Sequence, residues 1–396
     1  DVFRHTSYTL AINLSSRTEA ARCMGDIKAD QKLGPSQTPD SLHIHGFWQL
    51  YRHSLTQNNR HNTFHWADLH RMDLHQTLST YSPLYMHRKA IQGRRIALVL
   101  GASTEDKHPN ATFWTQLTHY LLQQGAFPLL LGGTREKDLG EAVARRVNLA
   151  SINFCGKLPL HEVAMLLKTT DLCITPDTGP MHLASWVGIP TMNLSMGPVR
   201  AHETGPYGLD QYVLVPRISC AGCWSCTYRR HRCKKKFSAK EIANYALAIL
   251  ERTPLPDSCS TDLLRTRYDE QGLYHLTGNR ENCQTMLDAF WRNLFLGLYQ
   301  NDWTSPGIHL KKLKDTYPKI GDVIQEKLQS VITVSLKALR NQNPDIRRSF
   351  FYNQPPLLRL LTGYFELYIQ NTAATQKTWK TICDWTAQIL ELFTKT

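Results

Sequence analysis

The sequence predicts an α/β protein built on a doubly wound parallel sheet and continued by an all-helical region. Three observations predict it. Short apolar runs, Ile96-Ala97-Leu98-Val99-Leu100, Pro128-Leu129-Leu130-Leu131 and Leu172-Cys173-Ile174, alternate with longer segments of helical periodicity. Small or polar turns follow these runs: Gly101-Ala102-Ser103, Gly132-Gly133 and Asp177-Thr178-Gly179. After Thr253-Pro254-Leu255-Pro256, which reads as a linker, strand signals fade and apolar residues recur at helical spacing.

Taken in order, the chain opens on Asp1 rather than Met, and the strand-like Tyr8-Thr9-Leu10-Ala11-Ile12-Asn13-Leu14 has no turn before it. The chain is therefore expected to begin inside a domain. A helix over 18–24 and a His-rich stretch around Phe64-His65-Trp66-Ala67-Asp68 complete a partial first domain, 1–90. The second domain, 91–252, reads as strand 96–100, helix 113–124, strand 128–131, a charged helix 136–146, a strand near 152–154, helix 160–168, strand 172–174 and strand 191–194. Strands buried on both faces and separated by helices belong to parallel sheets, whose ligands sit at the strands' carboxyl ends. Helices over 281–299, 320–340, 356–370 and 375–395 form an extension, 253–396. Its aromatic residues, Trp291, Phe295, Tyr299, Tyr364, Phe365, Tyr368, Trp379 and Trp385, read as packing core rather than a ligand box.

No apolar run approaches the roughly 18 residues of a membrane span, and no basic-then-apolar leader opens the chain. The expected location is the cytoplasm. A net charge of +13 favours an anionic partner. Arg217, Arg229, Arg230, Arg232, Lys234, Lys235 and Lys236 crowd one stretch free of acids, which suits either a solvated loop or an anion-binding patch. Nucleic acid is the weaker partner, because no aromatic-rich recognition helix accompanies these cations. His43, His45, His61, His65, His70 and His75 stand at spacings that could gather a metal. No carboxylate and Cys set completes a ligand sphere, so packing is the preferred reading.

The chemistry concentrates on one sheet edge. Gly101-Ala102-Ser103 lets a ligand approach the backbone, and Lys107 offers a diphosphate a charge and three donors. Glu136, after Gly132-Gly133, suits either the hydroxyls of a ribose or a helix first turn. Asp177-Thr178-Gly179-Pro180-Met181-His182 reads as strand end, Gly turn and helix start, where backbone N–H groups and the positive helix end favour a phosphate.

Together with Phe154-Cys155-Gly156-Lys157-Leu158, Gly188-Ile189-Pro190-Thr191 and Thr204-Gly205-Pro206-Tyr207-Gly208, these motifs resemble glycosyltransferase family 9, the ADP-heptose:lipopolysaccharide heptosyltransferases. The resemblance runs over about residues 8–250. It implies a GT-B fold of two Rossmann-like domains, the first N-terminally incomplete here, with the nucleotide-sugar donor in the second. It further implies that Lys107 and Thr178-Gly179 contact the diphosphate and Glu136 the ribose. Ser103, Asp177, Pro180, Met181 and His182 would line the phosphates and sugar. Transfer to a glycan or protein hydroxyl would invert the anomeric centre and need no metal, at the inner face of the membrane if the acceptor is there. The alternative is a non-catalytic nucleotide-binding scaffold whose helical extension and Cys finger hold a partner. The family's general base sits on a Gly-Asp turn, and nothing before Tyr8 matches it. The implied base is thus upstream of Asp1 or lacking, and the catalytic residues stay unassigned. A homo-oligomer is compatible with the sequence.

Cys220, Cys223, Cys226 and Cys233, the finger over 220–233, can enclose a tetrahedral metal. Structural Zn or Fe, free thiols and an iron–sulfur cluster all remain open. The family branch that heptosylates autotransporter adhesins resembles this chain in having a Cys finger, which in that branch holds iron. The remaining six cysteines read as reduced, mostly buried thiols.

Overall fold

The computed structural model describes residues 6–74, 91–223, 225, 226, 228, 231–278, 280–341 and 349–395. The chain divides into two compact units, one of residues 1–78 with 280–396 and one of residues 79–279. This division differs from the expected boundaries at 90 and 252 for reasons visible in each unit.

In the first unit, β1 (Ser7–Ile12), α1 (Thr18–Asp26) and β2 (Lys28–Gln37) make a β-α-β unit with parallel strands, and β3 (Leu42–His45) pairs antiparallel to β2. Helices α2 (Phe47–Ser54) and α3 (Trp66–Leu74) follow.

The second unit carries β4 (Arg95–Val99), α4 (Ala111–Gln123), β5 (Phe127–Leu131), α5 (Lys137–Arg146), α6 (Leu160–Leu167), β6 (Leu172–Pro176), α7 (Gly179–Trp186), β7 (Thr191–Leu194), α8 (Ala201–Thr204), β8 (Tyr212–Pro216), α9 (Ala239–Glu251), β9 (Thr261–Tyr268) and β10 (Tyr274–Thr277). The sheet order is β10-β9-β8-β7-β6-β4-β5, parallel from β5 to β8 and antiparallel at β9 and β10. The expected strand near 152–154 is a 3₁₀ turn, Ala150–Ile152, with one bridge from Asn153 to Leu130. Sheet alternation explains the two buried faces. Ile96, Leu98 and Leu100 join Leu172 and Ile174 against α4, α5 and α9, while Ala97, Val99 and Cys173 face Val163, Leu167 and Ala184 of α6 and α7. Each fully buried Leu or Ile stabilises this sandwich by about 1.5–3 kcal/mol.

Gly140 lies inside α5 because a Cβ there would stand 2.5 Å from Asn153 Oδ1 and 2.6 Å from Cys155 Sγ. Close helix packing, rather than helix propensity, sets that residue. The β9-β10 hairpin was invisible in the sequence because Leu263, Leu264 and Leu276 alternate with Arg, Thr and His, a mixed edge pattern. It carries the sheet unit beyond 252.

The C-terminal helices are α10 (Cys283–Gln300), α11 (Thr304–Thr316), α12 (Pro318–Asn341), α13 (Ser349–Tyr352), α14 (Arg359–Asn371) and α15 (Gln376–Lys395). They join the N-terminal segment rather than standing apart. The reason is a shared aromatic core: Trp48 lies 5.0 Å from Phe64 and 5.2 Å from Tyr299, and Tyr51 lies 4.5 Å from Phe295, all centroid to centroid. A 2.8 Å hydrogen bond between His61 Nδ1 and Asp288 Oδ1 ties the same two segments. Nearby, Gln49 Nε2 stands 3.1 Å from His70 Nδ1. His75 lies outside the described residues. No helix of the described residues is long and apolar enough to cross a membrane.

Candidate functional site

The chain leaves β4, builds β5 on one side of it, then crosses back to start β6 on the other. Where successive connections leave in opposite directions, the loops part and open a crevice at the carboxyl ends. The turns after β4 and β6, holding Ser103 to Lys107 and Asp177 to His182, flank that switch point.

Gly101 closes β4 and sits under Glu136. A Cβ at Gly101 would come within 2.3 Å of the Glu136 carboxylate, and one at Gly132 within 2.6 Å of the Glu136 Cβ. Both glycines thus make room for this side chain. Its Oε2 accepts the Gly133 N–H at 2.8 Å, fixing the carboxylate above the ends of β4 and β5. Behind it, Trp114 Nε1–H donates to the Leu100 carbonyl at 3.1 Å in the core. Burial, with the nearby Glu136 charge second, pushes the Cys155 thiol up to about 12, so Cys155 is an inert packing group.

Lys107 ends the 3₁₀ turn Glu105–Lys107 and is half-buried, whereas Ser103 is exposed. In the β6 turn, Thr204 Oγ1–H donates to Asp177 Oδ2 at 2.8 Å and holds the carboxylate. The Thr178 side chain at the N-cap makes no capping hydrogen bond to the start of α7, and Pro180 in its first turn has no N–H to satisfy. A Cβ added at Gly179 would meet nothing within 4 Å, so the space before the helix start is open. The Met181 side chain is fully buried and offers a ligand only backbone. His182 is exposed at its surface, yet burial of the remainder lowers its pKa against the pull of Asp177, favouring the neutral ring. Among the described residues, no hydrogen bond joins Lys107 to the Asp177–His182 turn.

Cys220, Cys223, Cys226 and Cys233 line one pocket with Ser195, Met196 and Gly197. Burial, then the neighbouring Cys220, Cys226 and Cys233, raise the Cys223 pKa. Four thiols around one cavity are a donor set suited to Zn or Fe, although no group of three or more His, Cys, Asp or Glu among the described residues is gathered into a metal-holding cluster. The basic residues are partly engaged: Arg217 pairs with Asp262 at 2.7 Å and Arg232 stacks 4.0 Å from the Tyr228 ring. Arg229 and Arg230 lie outside the described residues. Of the six scattered cysteines, Cys155, Cys173 and Cys383 are buried, while Cys23 and Cys259 are exposed. Thr204 and Gly197 were not singled out by chemistry. Thr204 had a signal in its Gly-Pro-Tyr-Gly sequel, and Gly197 had one in its place just after β7.

Fold and edge together define a doubly wound α/β protein with Lys107, Glu136 and the Asp177–His182 turn at the carboxyl ends of its sheet. Residues 4–232 match the family model of glycosyltransferase family 9 (heptosyltransferase), and the chain belongs to that family. It is 30% identical over 132 residues to lipopolysaccharide heptosyltransferase 1 of Pseudomonas aeruginosa, covering 33% of this chain and 36% of that one. It is 24% identical over 155 residues to lipooligosaccharide heptosyltransferase 2 of Campylobacter jejuni, covering 38% and 48%. The chain thus spans less than half the length of these curated relatives. Among solved structures, a glycosyl transferase of family 9 from Veillonella parvula is similar at TM-score 0.45 and 18% identity, over 62% of this chain and 74% of that one.

Proposed function

We propose that this protein binds an ADP-activated heptose at the β4–β6 edge and takes part in its transfer, with inversion, to a hydroxyl of an anionic glycan or a protein. The observation that carries the reading is the conjunction at one switch point of a fixed carboxylate (Glu136), a half-buried cation (Lys107) and an uncapped helix start with open space before it (Gly179). Glu136 accepts from the ribose hydroxyls. Lys107 and the α7 N-terminus hold the diphosphate and stabilise its charge as the acceptor oxygen attacks the anomeric carbon and the diphosphate leaves. Neutral His182 supplies a donor to a phosphate oxygen. The net charge of +13 draws the acidic acceptor. Cys220, Cys223, Cys226 and Cys233 would hold one Zn or Fe, which when bound cross-links the finger and has no part in transfer.

The test is calorimetric titration of ADP, with UDP as the control. ADP is expected to bind and to raise the melting temperature, and Lys107→Ala to weaken it at least tenfold, the scale of one lost charged hydrogen bond. Tighter binding of UDP, or ADP binding indifferent to Lys107→Ala, would remove the reading.

A further inference from the structure

The turn that carries Lys107 meets the end of the cysteine finger through two residues, Gly197 by close contact and Lys234 by a hydrogen bond. Gly197, after β7, adopts a φ of +77° and lies so close to the turn that a Cβ would stand 2.4 Å from the Asp106 carbonyl oxygen and 3.2 Å from the Lys107 nitrogen. The Gly197 N–H donates to Cys233 Sγ at 3.4 Å. From the residue just after the finger, Lys234 Nζ donates to the Glu105 carbonyl, with Asp106 and Glu105 charges close by. One side of the Glu105–Lys107 turn therefore rests on Gly197, and its first carbonyl is held by Lys234. Within the turn, the Lys107 N–H donates to the Thr104 carbonyl at 3.2 Å and Thr104 Oγ1–H donates to the Asp106 carboxylate, both contacts local to these four residues. A turn this short takes its position from what it leans on.

We propose that Lys234 and Gly197 are positioning residues for the donor diphosphate: through them the cysteine finger sets where Lys107 stands on the sheet edge. The inference rests on the reading that Lys107 contacts the diphosphate, and it adds that the finger serves the donor site as well as its own loop. Lys234 acts by its donor and not by touching ligand, so an arginine, which keeps a long arm and an N–H donor, replaces it in that role. Gly197 acts by lacking a Cβ at a left-handed φ, where any side chain is both strained and in contact with the turn.

The experiment measures the ADP dissociation constant of the full chain by calorimetry for wild type, Lys234→Met, Lys234→Arg, Gly197→Ala and Lys107→Ala. Lys234→Met is expected to weaken ADP at least fivefold with the melting temperature of the ligand-free protein unchanged, and Lys234→Arg to restore wild-type affinity. Gly197→Ala is expected to weaken ADP at least as much. Unchanged affinity in Lys234→Met, or a loss that Lys234→Arg does not restore, overturns the proposal. The Lys107→Ala arm separates the two layers. If Lys107→Ala leaves ADP binding intact, the functional reading falls with the inference. If Lys107→Ala weakens binding and Lys234→Met does not, the inference alone falls.

Discussion

Glu136 is held by geometry before any ligand arrives. Two glycines clear space for it and one backbone N–H takes one of its oxygens, leaving the other oxygen over Gly101. A carboxylate fixed this way loses little freedom on accepting a pair of hydroxyls. If those hydroxyls belong to a ribose, Glu136→Ala should weaken ADP about tenfold while leaving inorganic pyrophosphate, which has no ribose, bound as in wild type. Calorimetry with both ligands checks this. Equal losses for the two ligands would mean that Glu136 only shapes the loop. Asp177 offers a contrast, since Thr204 already holds it, which marks it as a wall of the turn as much as a ligand contact.

At the scale of elements, helices α2 and α3 are joined by a half-buried polar knot. The Asp73 carboxylate of α3 accepts the Trp48 and Gln49 N–H groups at 3.1 and 2.7 Å, capping the start of α2 from a neighbouring helix. Gly46 must precede it, because a Cβ there would stand 2.7 Å from Asp73 Oδ2 at a φ of +99°. Burial lifts the Asp73 pKa to about 6 despite these bonds. Burial, then Arg52, lowers His53 and His70 to about 4. The signs oppose each other. Between pH 6.5 and 4 the unfolded histidines take up protons that the folded ones refuse, so their contribution is present above pH 6.5 and lost as pH falls through 4. Asp73 works the other way, its contribution being present below 3.8 and lost as pH rises through 6. Two histidines outweigh one carboxylate, so the melting temperature should fall on acidification from pH 6.5 to 4. The double variant His53→Gln, His70→Gln should fall less over the same range. Parallel curves would show that these rings do not control acid stability.

For the molecule as a whole, the central sheet was readable from sequence because β4, β5 and β6 are buried on both faces and so are continuously apolar. The residues at their ends were readable for the same reason: a polar or Gly turn after an apolar run must lie at the carboxyl edge. What stayed hidden shares one physical cause, dependence on distant partners. Strand β2 carries Lys, Asp, Gln, Gly and Pro and pairs with β1 and β3 only in context, and β9 and β10 lean on β8. The joining of 280–396 to 6–74 rests on Trp48 meeting Tyr299 and Tyr51 meeting Phe295, contacts across more than two hundred residues that no local period announces. Likewise, Cys223 and its neighbours announced a cluster, whereas its attachment to the Lys107 turn through Gly197 appears only when β7 and β4 ends are brought together.

On the proposed function, the β4–β6 edge receives the nucleotide diphosphate of the donor. An experimental structure of the chain with ADP tests it most directly. The diphosphate is expected between Lys107 Nζ and the backbone N–H groups at the start of α7, with the ribose hydroxyls on Glu136. Nucleotide bound elsewhere, or at this edge with Lys107 and Glu136 both out of contact, would contradict it.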